Sequence, residues 1–163
     1  MGHRYPPLKR HVSLQPFSRD HFLGLTRARQ LQQAATAGAS ARIQAKSDML
    51  AAWKSEIAAH FDEEEQLLFP LLTPPGSERL EREHRAIRRL VAAAQTDGPD
   101  MGATWCGELG RRLHDHIRWE ERELFEAIQK SATSEQLAQL AAATAAMEKR
   151  RPGIRIRGRG PRP

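Results

Sequence analysis

Residues 60–69, His60-Phe61-Asp62-Glu63-Glu64-Glu65-Gln66-Leu67-Leu68-Phe69, and residues 116–125, His116-Ile117-Arg118-Trp119-Glu120-Glu121-Arg122-Glu123-Leu124-Phe125, repeat one pattern, HxxxEExxLF. Side chains four apart in an α-helix stand one turn above each other on the same face. Each stretch therefore sets an imidazole beside a carboxylate, a nitrogen and an oxygen donor for a metal ion. About 0.6 HxxxE matches are expected by chance in such a composition, so the shared flanks carry the weight.

Outward from these motifs the chain divides into helices and breaks. Ile43, Leu50, Trp53, Ile57, Phe61, Leu68 and Leu71 recur at helical spacing and predict a helix over about 41–72, kinked or ended at Pro70. Trp105, Leu109, Leu113, Ile117, Leu124 and Ile128 do the same over about 101–130. Ser18 as N-cap opens an earlier helix over about 19–37, broken by Gly38-Ala39-Ser40. Thr73-Pro74-Pro75-Gly76 reads as a stop, and Ser77 caps a helix over about 78–95 with Leu80, Ile87, Leu90 and Val91 on its apolar stripe. Thr96-Asp97-Gly98-Pro99 closes it.

Four helices joined by three short loops predict an all-α fold, an up-down-up-down four-helix bundle, over residues 18–130. Residues 1–17, with Pro6, Pro7 and Pro16, read as an extended leader, and 131–149 as an extra Ala-rich C-terminal helix outside the bundle. Residues 150–163, rich in Gly, Pro and Arg, read as a disordered basic tail. The chain offers no credible strand, Gly-rich phosphate loop or Ser/His/Asp arrangement.

Each motif helix is preceded by a helix with a His near its start, His21 in Asp20-His21-Phe22-Leu23 and His84 in Glu83-His84-Arg85-Ala86. Antiparallel folding brings His21 and His84 to the end of the bundle where His60 and His116 lie. Four imidazoles and the carboxylates of Glu64 and Glu120 then converge. Nitrogen and oxygen donors without a thiolate suit iron, manganese or zinc. Six donors are too many for one ordinary site, whereas two metals bridged by the carboxylates satisfy the count.

Each of these residues also has a plainer reading. An exposed His/Glu pair stabilises a helix by a few tenths of a kcal/mol, and His21 or His84 alone reads equally as a core histidine. The repeat in register with apolar neighbours favours ligands. His114 stands roughly 200° round the helix from His116 and is expected at the surface or behind the ligands. Glu63 reads as a solvated charge in an acidic run ahead of an auxiliary ligand, His3 and His11 as leader residues, and Trp119 as a core aromatic or a wall of the small-molecule path. Ferritin-like oxidases need a Glu-x-x-His on two helices. Only Glu81-Arg82-Glu83-His84 supplies one.

Through His21, His60, Glu64, His84, His116 and Glu120, with the flanks Glu65-Gln66-Leu67-Leu68-Phe69-Pro70-Leu71 and Glu121-Arg122-Glu123-Leu124-Phe125, the chain resembles the hemerythrin-like HHE cation-binding family. The leader His11-Val12-Ser13-Leu14-Gln15-Pro16-Phe17 is similar to the start of bacterial members, and the resemblance covers roughly residues 11–130. It implies a four-helix fold with two iron ions in a non-heme di-iron centre that senses or reacts with dioxygen, nitric oxide or peroxide, or senses iron. The alternative it implies is an enzyme with peroxidase-like, catalase-like or iron-centre repair activity. Oxygen-carrying members have a further His where Arg88 stands and an Asp ending the last motif where Glu120 stands, so the four-His, two-Glu set is more similar to the sensing and repair branches. Repair members usually carry an N-terminal Cys, and this chain has none before Cys106.

The net charge of +6 belongs to one end of the chain: seven of its 26 bases lie in residues 149–163, where no acid occurs, leaving a body of 19 bases and 20 acids. No aromatic residue interleaves with the tail arginines to stack on bases, so nucleic acid is not an expected partner except by electrostatic attraction through that tail. The lone Cys106 excludes an intramolecular disulfide and, with no signal peptide recognised, points to a reducing cytoplasm. No apolar run approaches the roughly 20 residues that span a bilayer, so membrane insertion is not expected. The sequence does not determine the oligomeric state.

Overall fold

The structure, a computed structural model, describes residues 9–151. Helix α1, Gln15–Ala35, starts earlier than the leader reading allowed. Pro16 lies in its first turn, where a missing N–H costs nothing and the fixed φ suits a helix. Leu14 and Phe17 are thereby carried into the core, both fully buried.

Helix α2 is continuous but of mixed pitch: Ala39–Ala52, a π turn Trp53–Ile57, then Ala58–Leu68, ending in a 3₁₀ turn Phe69–Leu71 that contains Pro70. Its buried positions step from Ala45 to Met49 to Ala52 and then jump five residues to Ile57. The π turn absorbs that jump and rotates the following segment so that His60, Phe61, Glu64 and Leu68 face inward. Ile43, expected in the stripe, is instead 39% exposed.

Helix α3, Pro74–Thr96, begins inside the segment read as a stop. Thr73 holds the N-cap position and Pro74 and Pro75 fill the first turn, another use of proline where no N–H is required. Helix α4 runs through Gly102–Trp119, a π turn Glu120–Leu124 and Phe125–Ser131. Gly102 enters it at φ +81°, a left-handed conformation suited to glycine, with its N–H donating to Asp100 Oδ1 at 2.8 Å. The α3–α4 loop is held by Lys46, whose Nζ donates to the carbonyls of Asp97 and Gly98, and by Arg42 on Asp100. Helix α5, Ser134–Arg150, opens on a capping box of Thr133 and Gln136.

The first four helices form an antiparallel bundle in which α1 and α4 make the closest pair. Small residues permit it: a Cβ on Gly110 would stand 2.8 Å from the Ala28 carbonyl oxygen, and Gly107 faces Ala35. Helix α5 covers one end, burying Leu140, Thr144 and Met147 beside Leu14, Phe17, Leu68 and Leu80. The buried apolar residues form two clusters, one containing Leu31, Met49, Phe61, Ile87, Leu109 and Leu113, the other Phe17, Leu68, Leu80, Trp119, Phe125 and Ile128. Phe61 of the first stacks on His84, and Phe125 of the second on His21, so imidazoles sit where the clusters meet. No helix among the described residues is long and apolar enough to cross a membrane.

Candidate metal centre

His21 from α1, His60 and Glu64 from α2, His84 from α3, and His116 and Glu120 from α4 come together in the bundle interior, none more than 5% exposed. They fall into two groups of four, His21, His60, Glu64, Glu120 and Glu64, His84, His116, Glu120, the ligand atoms within each lying within 4.8 Å of one another. Both carboxylates belong to both groups. Glu64 Oε1 lies 3.1 Å from His60 Nε2 while its Oε2 lies 3.3 Å from His84 Nε2. Glu120 Oε1 lies 3.1 Å from His116 Nε2 while its Oε2 lies 3.2 Å from His21 Nε2. Each glutamate thus turns one oxygen to each pair of histidines.

This donor set fits a metal on its own terms. Both oxygens of Glu64, both of Glu120 and Nε2 of His21 are buried without a hydrogen-bond partner. Buried polar atoms are nearly always satisfied, and an unpaired buried anion is costly. Two such anions facing four ring nitrogens form a cavity of matched acceptors that a cation completes. Protons feel the same field. Burial opposes the charge on the His60 and His116 rings, yet Glu64 and Asp20 raise His60 to about 9, and Glu120 with Glu83 raises His116 to about 9. His21 is raised well above its ordinary value against the same penalty, chiefly by Glu120, Glu121 and Glu64. Burial also works against the Glu64 carboxylate, but His60, His21 and His84 outweigh it and hold Glu64 well below the usual range.

Every one of the four rings points Nε2 inward and presents Nδ1 to an outer carboxylate. His21 Nδ1 meets Glu121 at 2.7 Å, His60 meets Asp20 at 3.2 Å, His84 meets Glu65 at 2.8 Å and His116 meets Glu83 at 2.9 Å. Such a partner fixes ring orientation and raises the basicity of the inward nitrogen. Each outer acid in turn touches an arginine: Glu121 meets Arg10 at 2.8 Å, Asp20 meets Arg151 at 2.6 Å, Glu65 meets Arg88 at 2.5 Å and Glu83 meets Arg79 at 2.7 Å. Beside His21 and His60 a cavity of about 10 Å³ is lined mainly by Gly24, Ile57, Phe61, Leu113 and Ile117.

Sequence reasoning missed the four outer acids. Their signal was adjacency, since Asp20 and Glu83 precede His21 and His84 while Glu65 and Glu121 follow Glu64 and Glu120. Glu63 pairs with Arg151 rather than lying free in solvent. Glu81, half of the lone Glu-x-x-His, pairs with Arg85 on the surface. His114 is exposed against Asp115. Trp119 does not line the cavity at His21; it packs beneath Arg79, 4.4 Å from the guanidinium carbon.

A helical bundle with its interior imidazoles and carboxylates gathered into shared groups defines a metal-binding protein of the four-helix class. The hemerythrin HHE cation binding domain matches residues 18–128, and again 75–154, and the chain belongs to that family. The second match begins at α3, the point where the His…HxxxEE pattern starts over. No curated protein and no solved structure matches the chain.

Proposed function

We propose that the chain is a non-heme di-iron protein, with His21 and His60 holding one metal, His84 and His116 the other, and Glu64 and Glu120 bridging them. The observation that carries this is the double membership of the two carboxylates, whose oxygens divide between the two histidine pairs. Bound iron would supply a change of oxidation state and a coordination position open to a small ligand. The residues do the rest. The outer acids hold each imidazole with Nε2 inward, and a largely apolar cavity lies beside His21 and His60. An apolar approach to the His21/His60 side favours sensing of or reaction with dioxygen, nitric oxide or peroxide.

The test is metal content after anaerobic ferrous loading, followed by the optical spectrum on admitting air. Two irons per chain and a new charge-transfer band in air are the expected result. No specific metal, or one spectroscopically silent zinc, overturns the reading. Sustained turnover of added peroxide, in place of one stoichiometric oxidation, would move the assignment from sensor to peroxidase-like or catalase-like enzyme.

A further inference from the structure

The arginines behind the centre come from three different parts of the chain. Arg79 and Arg88, which hold Glu83 and Glu65 behind His116 and His84, both belong to α3. Arg10 and Arg151, which hold Glu121 and Asp20 behind His21 and His60, belong to none of the four bundle helices. Arg10 lies in the segment before α1 and Arg151 directly follows α5. Resting on the two-metal reading above, we propose that Arg10 and Arg151 are positioning residues for the His21/His60 metal alone. The segments flanking the bundle thereby govern one metal position and leave the other to α3.

The contacts on that side are of the kind that set a ring's place. Arg10 donates to both the backbone carbonyl and the carboxylate of Glu121, at 2.7 and 2.8 Å, and lies over the Phe125 ring, 5.1 Å from its centroid. Phe125 stacks on His21 at 9° between planes, so Arg10 reaches His21 by two routes. Arg151 Nη1 donates to Asp20 Oδ2, the same oxygen that faces His60 Nδ1, and its Nη2 pairs with Glu63. Planar guanidinium forks fix carboxylates more firmly than a point charge does. Loss of such support behind a metal-bound histidine costs 10–100-fold in affinity in general.

The full-length chain loaded with cobalt(II), followed by its visible absorption while a chelator competes, reports each metal equivalent without any activity. Arg151→Gln and Arg10→Gln are expected to weaken one equivalent by about tenfold or more and leave the other at its wild-type affinity, with Arg151→Lys recovering part of the loss. Arg88→Gln is expected to weaken the other equivalent. Combining Arg151→Gln with Asp20→Asn should cost no more than Asp20→Asn alone, because both act on one contact. Arg151 follows α5 and belongs to neither buried apolar cluster, so its variant keeps the core intact even where Arg10→Gln impairs folding. If wild type takes two equivalents but Arg151→Gln weakens both alike, or neither, the inference falls and the two-metal reading stands. Fewer than two equivalents in wild type overturns both.

Discussion

Glu64 and Glu120 face each other across the bundle, fully buried, and neither has a hydrogen bond to either of its oxygens. Two carboxylates in that position repel each other, and Glu64 works to raise the Glu120 pKa, although burial is the larger influence in that direction and the histidines prevail over both. The arrangement makes structural sense around positive charge shared between them.

Sharing predicts unequal consequences for neutralising a bridge and removing an end ligand. Glu120→Gln keeps the side-chain volume but withdraws a charged oxygen from both groups, so metal content should fall from two equivalents toward none. His60→Ala withdraws a donor from one group, and one equivalent should remain. Metal analysis after desalting checks this; equal losses in the two variants would contradict the shared geometry.

The raised histidines give the chelated protein a defined pH response. A group whose pKa is higher folded than unfolded contributes stability that is complete below its unfolded value and lost as pH rises through the folded one. For His60 and His116 that window runs from 6.5 to about 9. The outer acids act with the opposite sign: Glu65 and Glu121, lowered from 4.5 to about 2, contribute above the ordinary value and lose that contribution as pH falls toward the lower one. Thermal melts in chelator should show Tm falling between pH 6.5 and 9, and a metal that replaces the protons should remove that decline.

The close approach of α1 and α4 separates two glycines. An added methyl at Gly110 meets the Ala28 backbone carbonyl at 2.8 Å, which has nowhere to go, so Gly110→Ala should cost about 1–3 kcal/mol. At Gly24 the methyl meets only the Ile117 Cδ1 atom at 2.6 Å, the tip of a side chain that can rotate. Gly24→Ala should therefore change stability by less than about 1 kcal/mol, with the gain in helix propensity offsetting the contact. Urea denaturation of the two variants distinguishes them.

Lys46 anchors the α3–α4 loop through two carbonyls, those of Asp97 and Gly98, at 3.2 and 2.6 Å. Lys46→Met keeps most of the buried stem and removes both bonds, leaving the carbonyls to water. A loss of about 1–3 kcal/mol is expected in the same denaturation assay, with metal content unchanged because the loop lies away from the six His and Glu residues.

The six residues facing one another in the interior were legible because their pattern is local. His60/Glu64 and His116/Glu120 lie one helical turn apart, and the repeat supplied His21 and His84. The outer carboxylates were not legible, since the contact of Glu65 with His84 or of Glu121 with His21 depends on the register between helices. Helix starts were not legible for one reason: Pro16, Pro74 and Pro75 read as breaks in sequence, whereas each occupies a first turn where proline is tolerated. The π turn at Trp53–Ile57 was likewise invisible, because Leu50, Trp53, Ile57 and Phe61 keep an ordinary helical spacing straight through it. The fifth helix was readable from composition, but its ion pair from Glu148 to Arg19 was not. Residues 152–163, most of the predicted basic tail, lie outside the described residues.

The crossing of contacts between the two helical hairpins has a mechanical meaning. Each hairpin keeps one acid for its own histidine, Asp20 for His60 and Glu83 for His116, and lends another to its partner, Glu65 to His84 and Glu121 to His21. Glu64 and Glu120 are lent in the same way, one oxygen each. Parting the hairpins would strip every histidine pair of a carboxylate in a single movement, so the centre acts as a clasp whose closure certifies that both hairpins are home.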